Sequence, residues 1–67
     1  MNSIEKLKEL ERKDVETVYA FNKETKVEAV VNTTVKGMVA LFYGNIDGSD
    51  DKIISAEEFN KNWVVEG

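Results

Sequence analysis

Neither cysteine nor histidine occurs among the 67 residues. Without cysteine there is no disulfide framework and no thiolate ligand set. Without histidine the commonest general base is missing, and with it the usual transition-metal ligand. Together the two absences exclude standard zinc sites and the Ser–His or Cys–His arrangements of nucleophilic catalysis. Glycine is sparse; Gly37, Gly44 and Gly48 stand apart from one another and fit turns, so no glycine-rich loop exists to cradle a phosphate. No apolar run approaches the length that spans a bilayer. Met1-Asn2-Ser3 leads into a charged amphipathic stretch instead of an apolar signal-peptide core, which predicts a cytoplasmic location.

Positive charge is scarce in the second part of the chain. Residues 1–26 balance six basic against six acidic side chains, whereas residues 27–67 hold three basic and seven acidic ones, the source of the net charge of −4. An acidic half repels phosphate backbones and argues against a nucleic-acid partner. A cation or a basic protein surface suits it better. The pairs Asp50/Asp51 and Glu57/Glu58 are the only candidates for acid–base work. They fall in a polar loop and at a helix start, away from the desolvated cleft that catalytic carboxyl groups need, so no enzyme activity is expected.

The chain is of single-domain size, near the lower limit for a core without covalent help. Helical spacing of Ile4, Leu7 and Leu10 predicts a helix over 3–13, capped by Ser3 or by an Asn2/Glu5 capping box and supported by a Glu9–Lys13 pair. A three-residue stripe is too thin to stand alone, so this helix must pack on something. From Val15 the composition turns to Val, Thr, Tyr and Phe with a period near two, which predicts strands at about 15–21, 26–35 and 38–43 in a meander. Turns are expected at Asn22-Lys23-Glu24-Thr25 and at Lys36-Gly37. Val27, Val30, Val31, Thr34, Val35, Met38, Val39 and Phe42 also fit a helical stripe, but β-branching and Gly37 favour strands. A strand at 52–54, a Ser55-capped helix at 56–62 and a last strand at 63–65 complete the layout. Phe59 and Trp63 lie one helical turn apart and are expected to anchor the core.

One segment supports two functions. With Asp47 as position 1, oxygen-bearing side chains fall at Asp47, Ser49, Asp51, Ser55 and Glu58, and the Ile53 carbonyl fills position 7. That spacing resembles an EF-hand calcium loop, and Val39, Phe42, Tyr43 and Ile46 before it resemble the apolar face of an entering helix. The resemblance implies a mostly helical calcium-binding module with those five residues as the metal site. It departs from the pattern at position 6, which is Lys52 and not glycine.

The tail Ile54-Ser55-Ala56-Glu57-Glu58-Phe59-Asn60-Lys61-Asn62-Trp63 is similar instead to the end of small SH3-like barrels found in bacterial and phage proteins. That resemblance implies an α+β fold, an N-terminal helix on a small antiparallel SH3-like sheet with a short C-terminal helical turn. It also implies a binding or adaptor role needing no cofactor. Asp50, Asp51 and Glu57 would then meet a basic protein partner, and Tyr19 and Tyr43 would contact a peptide. Under this reading Glu58 is the capping partner of Ser55. An exposed strand edge also gives such a small chain reason to form a homodimer.

Overall fold

A computed structural model describes residues 2–44 and 47–66. The fold is α+β: helix α1 (Ser3–Arg12), strands β1 (Tyr19–Asn22), β2 (Glu28–Thr33), β3 (Val39–Phe42) and β4 (Lys52–Ile54), helix α2 (Ala56–Asn62) and strand β5 (Trp63–Val65). The strands form one antiparallel sheet in the order β4-β3-β2-β1-β5. The mostly helical alternative is not adopted. Residues 28–33 and 39–42 pair as strands, because β-branched side chains suit a pleated surface and Gly37 takes φ +76° in the turn between them.

Asn2, not Ser3, caps α1. Its side chain accepts the Glu5 N–H at 3.0 Å while the Glu5 carboxylate accepts the Asn2 N–H, a complete capping box. Ser3 Oγ is used elsewhere, donating to the Trp63 carbonyl at the far end of the chain. The helix stops in a Schellman motif. The Val15 N–H donates to the Leu10 carbonyl, the Asp14 N–H donates to the Glu11 carbonyl, and Asp14 carries the left-handed φ of 60° that glycine usually supplies. Val15 is thereby spent on ending the helix. This is why β1 opens at Tyr19 and not where the alternation begins.

The other strands are also shorter than the alternation suggests, because side chains close the turns early. Asn22 Oδ1 accepts from the Glu24 and Thr25 N–H groups, and Lys26, at φ 64°, is the left-handed residue of that hairpin. Thr34 Oγ1 accepts from the Met38 N–H, so β2 ends at Thr33 and Val35 sits fully exposed at the turn tip.

Both helices cover one face of the sheet. Leu7 from α1 and Phe59 from α2 are completely buried against Ala20, Ala29, Val31, Val39, Leu41, Ile54 and Trp63. Trp63 stacks on Phe59 with ring centroids 6.5 Å apart and meets Tyr43 at 6.3 Å in a tilted contact. Polar bonds fix α1 in place: Ile4 N–H donates to Asn60 Oδ1 at 2.7 Å, and the Glu11 carboxylate accepts both the N–H and the hydroxyl of Thr33. Glu9 and Lys13 form the expected pair at 3.1 Å.

Candidate functional site

Neither of the described helices lies on the second face of the sheet. Register decides what it shows. Inward positions of β2 and β3 are Ala29, Val31, Val39 and Leu41, so Glu28, Val30, Asn32, Ala40 and Phe42 point outward. Cross-strand partners share a face, so Tyr19, paired with Val30, and Phe21, paired with Glu28 and Val64, join them. Val30 in turn pairs with Phe42, and Ala40 with Ile53. The result is a continuous apolar surface, Tyr19–Val30–Phe42 with Ile53 beside it. Tyr19, Phe42 and Ile53 are 46%, 42% and 59% exposed, so their rings and aliphatic surface remain available to a partner.

Two carboxylates stand beside this surface. Glu28 is an outward residue of β2, and Glu66 follows β5, its N–H donating to the Tyr19 carbonyl. Hydrogen bonding with Glu28 holds the Glu66 carboxyl above its ordinary value of 4.5, helped by desolvation and by the Glu28 charge. None of the outward positions on the five described strands is basic.

Near Tyr19 the surface runs into a groove of about 490 Å³ lined by Leu10, Val15, Thr17, Val18, Tyr19, Glu28 and Glu66. It lies where the paired stretch Ala20–Asn22 of β1 ends, and the Schellman turn brings Val15 beside Leu10 there.

The residues expected to bind a partner divide among three places. Tyr19 lies on the open face. Tyr43 has the opposite orientation and packs against Trp63; burial pushes its phenol pKa up, and the charges of Asp50 and Glu58 add to the effect. Asp50, Asp51, Ser49 and Lys52 line a shallow cleft with Tyr43, at the loop end of the sheet. Glu57 is exposed in the first turn of α2. Phe42, Val30, Ile53, Glu28 and Glu66 were not among the expected residues. The alternation Val39-in, Leu41-in already implies Phe42-out, and that is the signal for it.

The 47–58 segment has its own internal logic. Asp47 Oδ1 accepts the Ser49 N–H at 2.9 Å, and bonds to Ser49 hold the Asp47 carboxyl below its ordinary value. Asp51 Oδ1 accepts the Tyr43 N–H at 3.1 Å. Ser55 caps α2 by accepting the Glu58 N–H, one half of the expected capping box. The EF-hand frame is not formed: the segment before the loop is strand β3, and Lys52, at the position needing a left-handed turn, opens strand β4. Ile46, expected on the entering helix, lies outside the described residues. Among the described residues no three acidic side chains converge as a cation's ligands would. None of the described helices is long and apolar enough to cross a membrane.

No family model matches the chain, and no curated protein and no solved structure matches it.

Proposed function

We propose that this chain is a small, non-enzymatic protein-interaction module that takes a basic partner on the open face of its sheet. The observation that carries the reading is the unpartnered row Tyr19–Val30–Phe42 with Ile53, set beside Glu28 and Glu66 and with no basic side chain at the outward strand positions. Aromatic and aliphatic groups left at the surface of so small a domain forfeit burial energy of about 25 cal/mol per Å², which a partner recovers. Carboxylates alongside select for positive charge and speed its approach. Self-association is the weaker use of this face, because it would bring a second set of the same carboxylates against apolar surface with no counter-charge. The order of elements supports kinship with SH3-like domains: a meander, a short helix, then a last strand returned to β1. A cytoplasmic location, and a bacterial or phage source, belong to the same reading.

Selection from a displayed library of random peptides tests it. Enriched sequences are expected to combine lysine or arginine with large apolar residues, and their binding is expected to weaken at least about tenfold in Phe42→Ser, the loss of one interface anchor. Enrichment of acidic sequences overturns the reading. So does binding that is indifferent to replacement of both Phe42 and Ile53.

A further inference from the structure

The groove beside Tyr19 has features that the flat part of the face lacks. Its walls are apolar, from Leu10, Val15, Val18 and the Tyr19 ring, while Glu28 and Glu66 also line it. Register puts both carboxyl groups on the outward side of the strands flanking β1, at one groove, and the Glu28 side chain holds the Glu66 carboxyl above its ordinary value. Like charges drawn together carry a repulsive cost that either a proton or a cation relieves. A simple metal ion would leave the apolar walls unused. A neutral aliphatic group would fill the walls and leave the carboxylates to repel each other. A long side chain ending in a planar cation satisfies both at once: its methylene stem lies along Leu10 and Val15, its face stacks on Tyr19, and its fork of N–H donors meets two acceptors.

We infer that this groove is the anchoring site for one arginine side chain of the partner, with Glu28 and Glu66 as the paired acceptors and Tyr19, Leu10 and Val15 as the wall for its stem. This deepens, and rests on, the reading of the sheet face as a surface for basic partners. Tyr19 joins the two, lining the groove and opening the row that leads to Phe42. Arginine fits better than lysine because a delocalised, weakly hydrated guanidinium addresses two carboxylates and an aromatic ring together. Peptide addition at the sheet edges is the poorer alternative, since β4 and β5 are each three residues long and offer few backbone bonds.

The experiment is an amide chemical-shift titration of the full chain with two blocked eight-residue peptides of alternating valine and arginine, or valine and citrulline. Citrulline keeps the shape and removes the charge. The arginine peptide is expected to shift the amides of Val15, Thr17, Tyr19, Glu28 and Glu66 and to bind about fivefold more tightly than the citrulline peptide, a margin set by the solvent exposure of the carboxylates. The double variant Glu28→Gln, Glu66→Gln should erase the margin while leaving the fold intact, and salt at about 1 M should do the same. Equal binding of the two peptides overturns the inference. Shifts confined to Val30, Phe42 and Ile53 also overturn it while supporting the open face as a binding surface. No shift with either peptide counts against both.

Discussion

Replacing Leu7 by alanine asks whether α1 is part of the core or an appendage to it. Leu7 is completely buried, the only side chain of α1 to be so. A leucine-to-alanine change at such a site removes the burial energy of the lost carbons and leaves a cavity, at a combined cost of about 2–5 kcal/mol. A 67-residue domain has a total stability of only about 3–10 kcal/mol at the usual value per residue. The substitution therefore removes a large fraction of the stability. Each kcal/mol moves the melting temperature of a domain this size by about 4–8 °C, so a drop of about 8 °C is the minimum expected. Polar bonds from Ser3, Ile4 and Glu11 hold the helix independently of Leu7, so the change isolates the apolar contribution. The assay is urea unfolding followed by Trp63 fluorescence, because that ring lies in the same core. The exposed neighbour Lys8→Ala serves as control and should stay within about 0.5 kcal/mol of the parent. A loss below about 1 kcal/mol for Leu7→Ala, with helical circular dichroism retained, would refute the docking of α1 on the sheet.

Two further outcomes follow from the backbone and from the carboxylates. Asp14 holds a left-handed conformation that costs a residue with a Cβ about 1–2 kcal/mol, against which glycine forfeits about 0.5–1 kcal/mol of chain entropy. Asp14→Gly should thus raise stability by about 0.5–1 kcal/mol in the same urea assay, and a loss would mean the Schellman turn is misassigned. The Glu66 carboxyl is held above its ordinary value by Glu28, so between that value and the raised one the folded state binds more protons than the unfolded state. Its contribution to stability is present below the ordinary value and fades as pH rises through the raised one, the opposite sense to Asp47, whose carboxyl is held down and whose contribution fades as pH falls. Glu66→Gln should flatten the decline on the rising-pH side in urea midpoints measured from about pH 4 to about pH 7. An unchanged profile would rule out the effect of Glu28 on Glu66.

What could be read directly from the residues was whatever depends on near neighbours. Asn2 and Glu5 stand three apart and form the capping box, and Ser55 precedes α2 and caps it. The alternation in 27–35 carries the strand that pairs on both sides within the sheet. The return of β5 to β1 was not legible, because it joins residues some forty positions apart and leaves no local trace. Strand ends were overextended for the same kind of reason: Val15 and Val35 have strand-like side chains, but a helix terminator and a threonine-closed turn claim their backbones. Tyr19 and Tyr43 looked equivalent as sheet aromatics. Their opposite orientations follow from register, which separates a ring on the open face from one packed on Trp63. The calcium-like spacing of 47–58 is equally local, and its oxygens have other uses, Asp47 accepting the Ser49 N–H and Asp51 the Tyr43 N–H.

The bonds that tie α1 to the opposite end of the chain also set the order of events during synthesis. Ser3 and Ile4 find their partners 60 and 56 residues later, on Trp63 and Asn60. A ten-residue helix is marginal by itself in water, so α1 acquires lasting structure only when α2 and β5 have left the ribosome. Until then the hairpins of β1 to β4 have no cover on either face. That stretch of the nascent chain therefore remains open to chaperones and proteases until α2 and β5 have emerged.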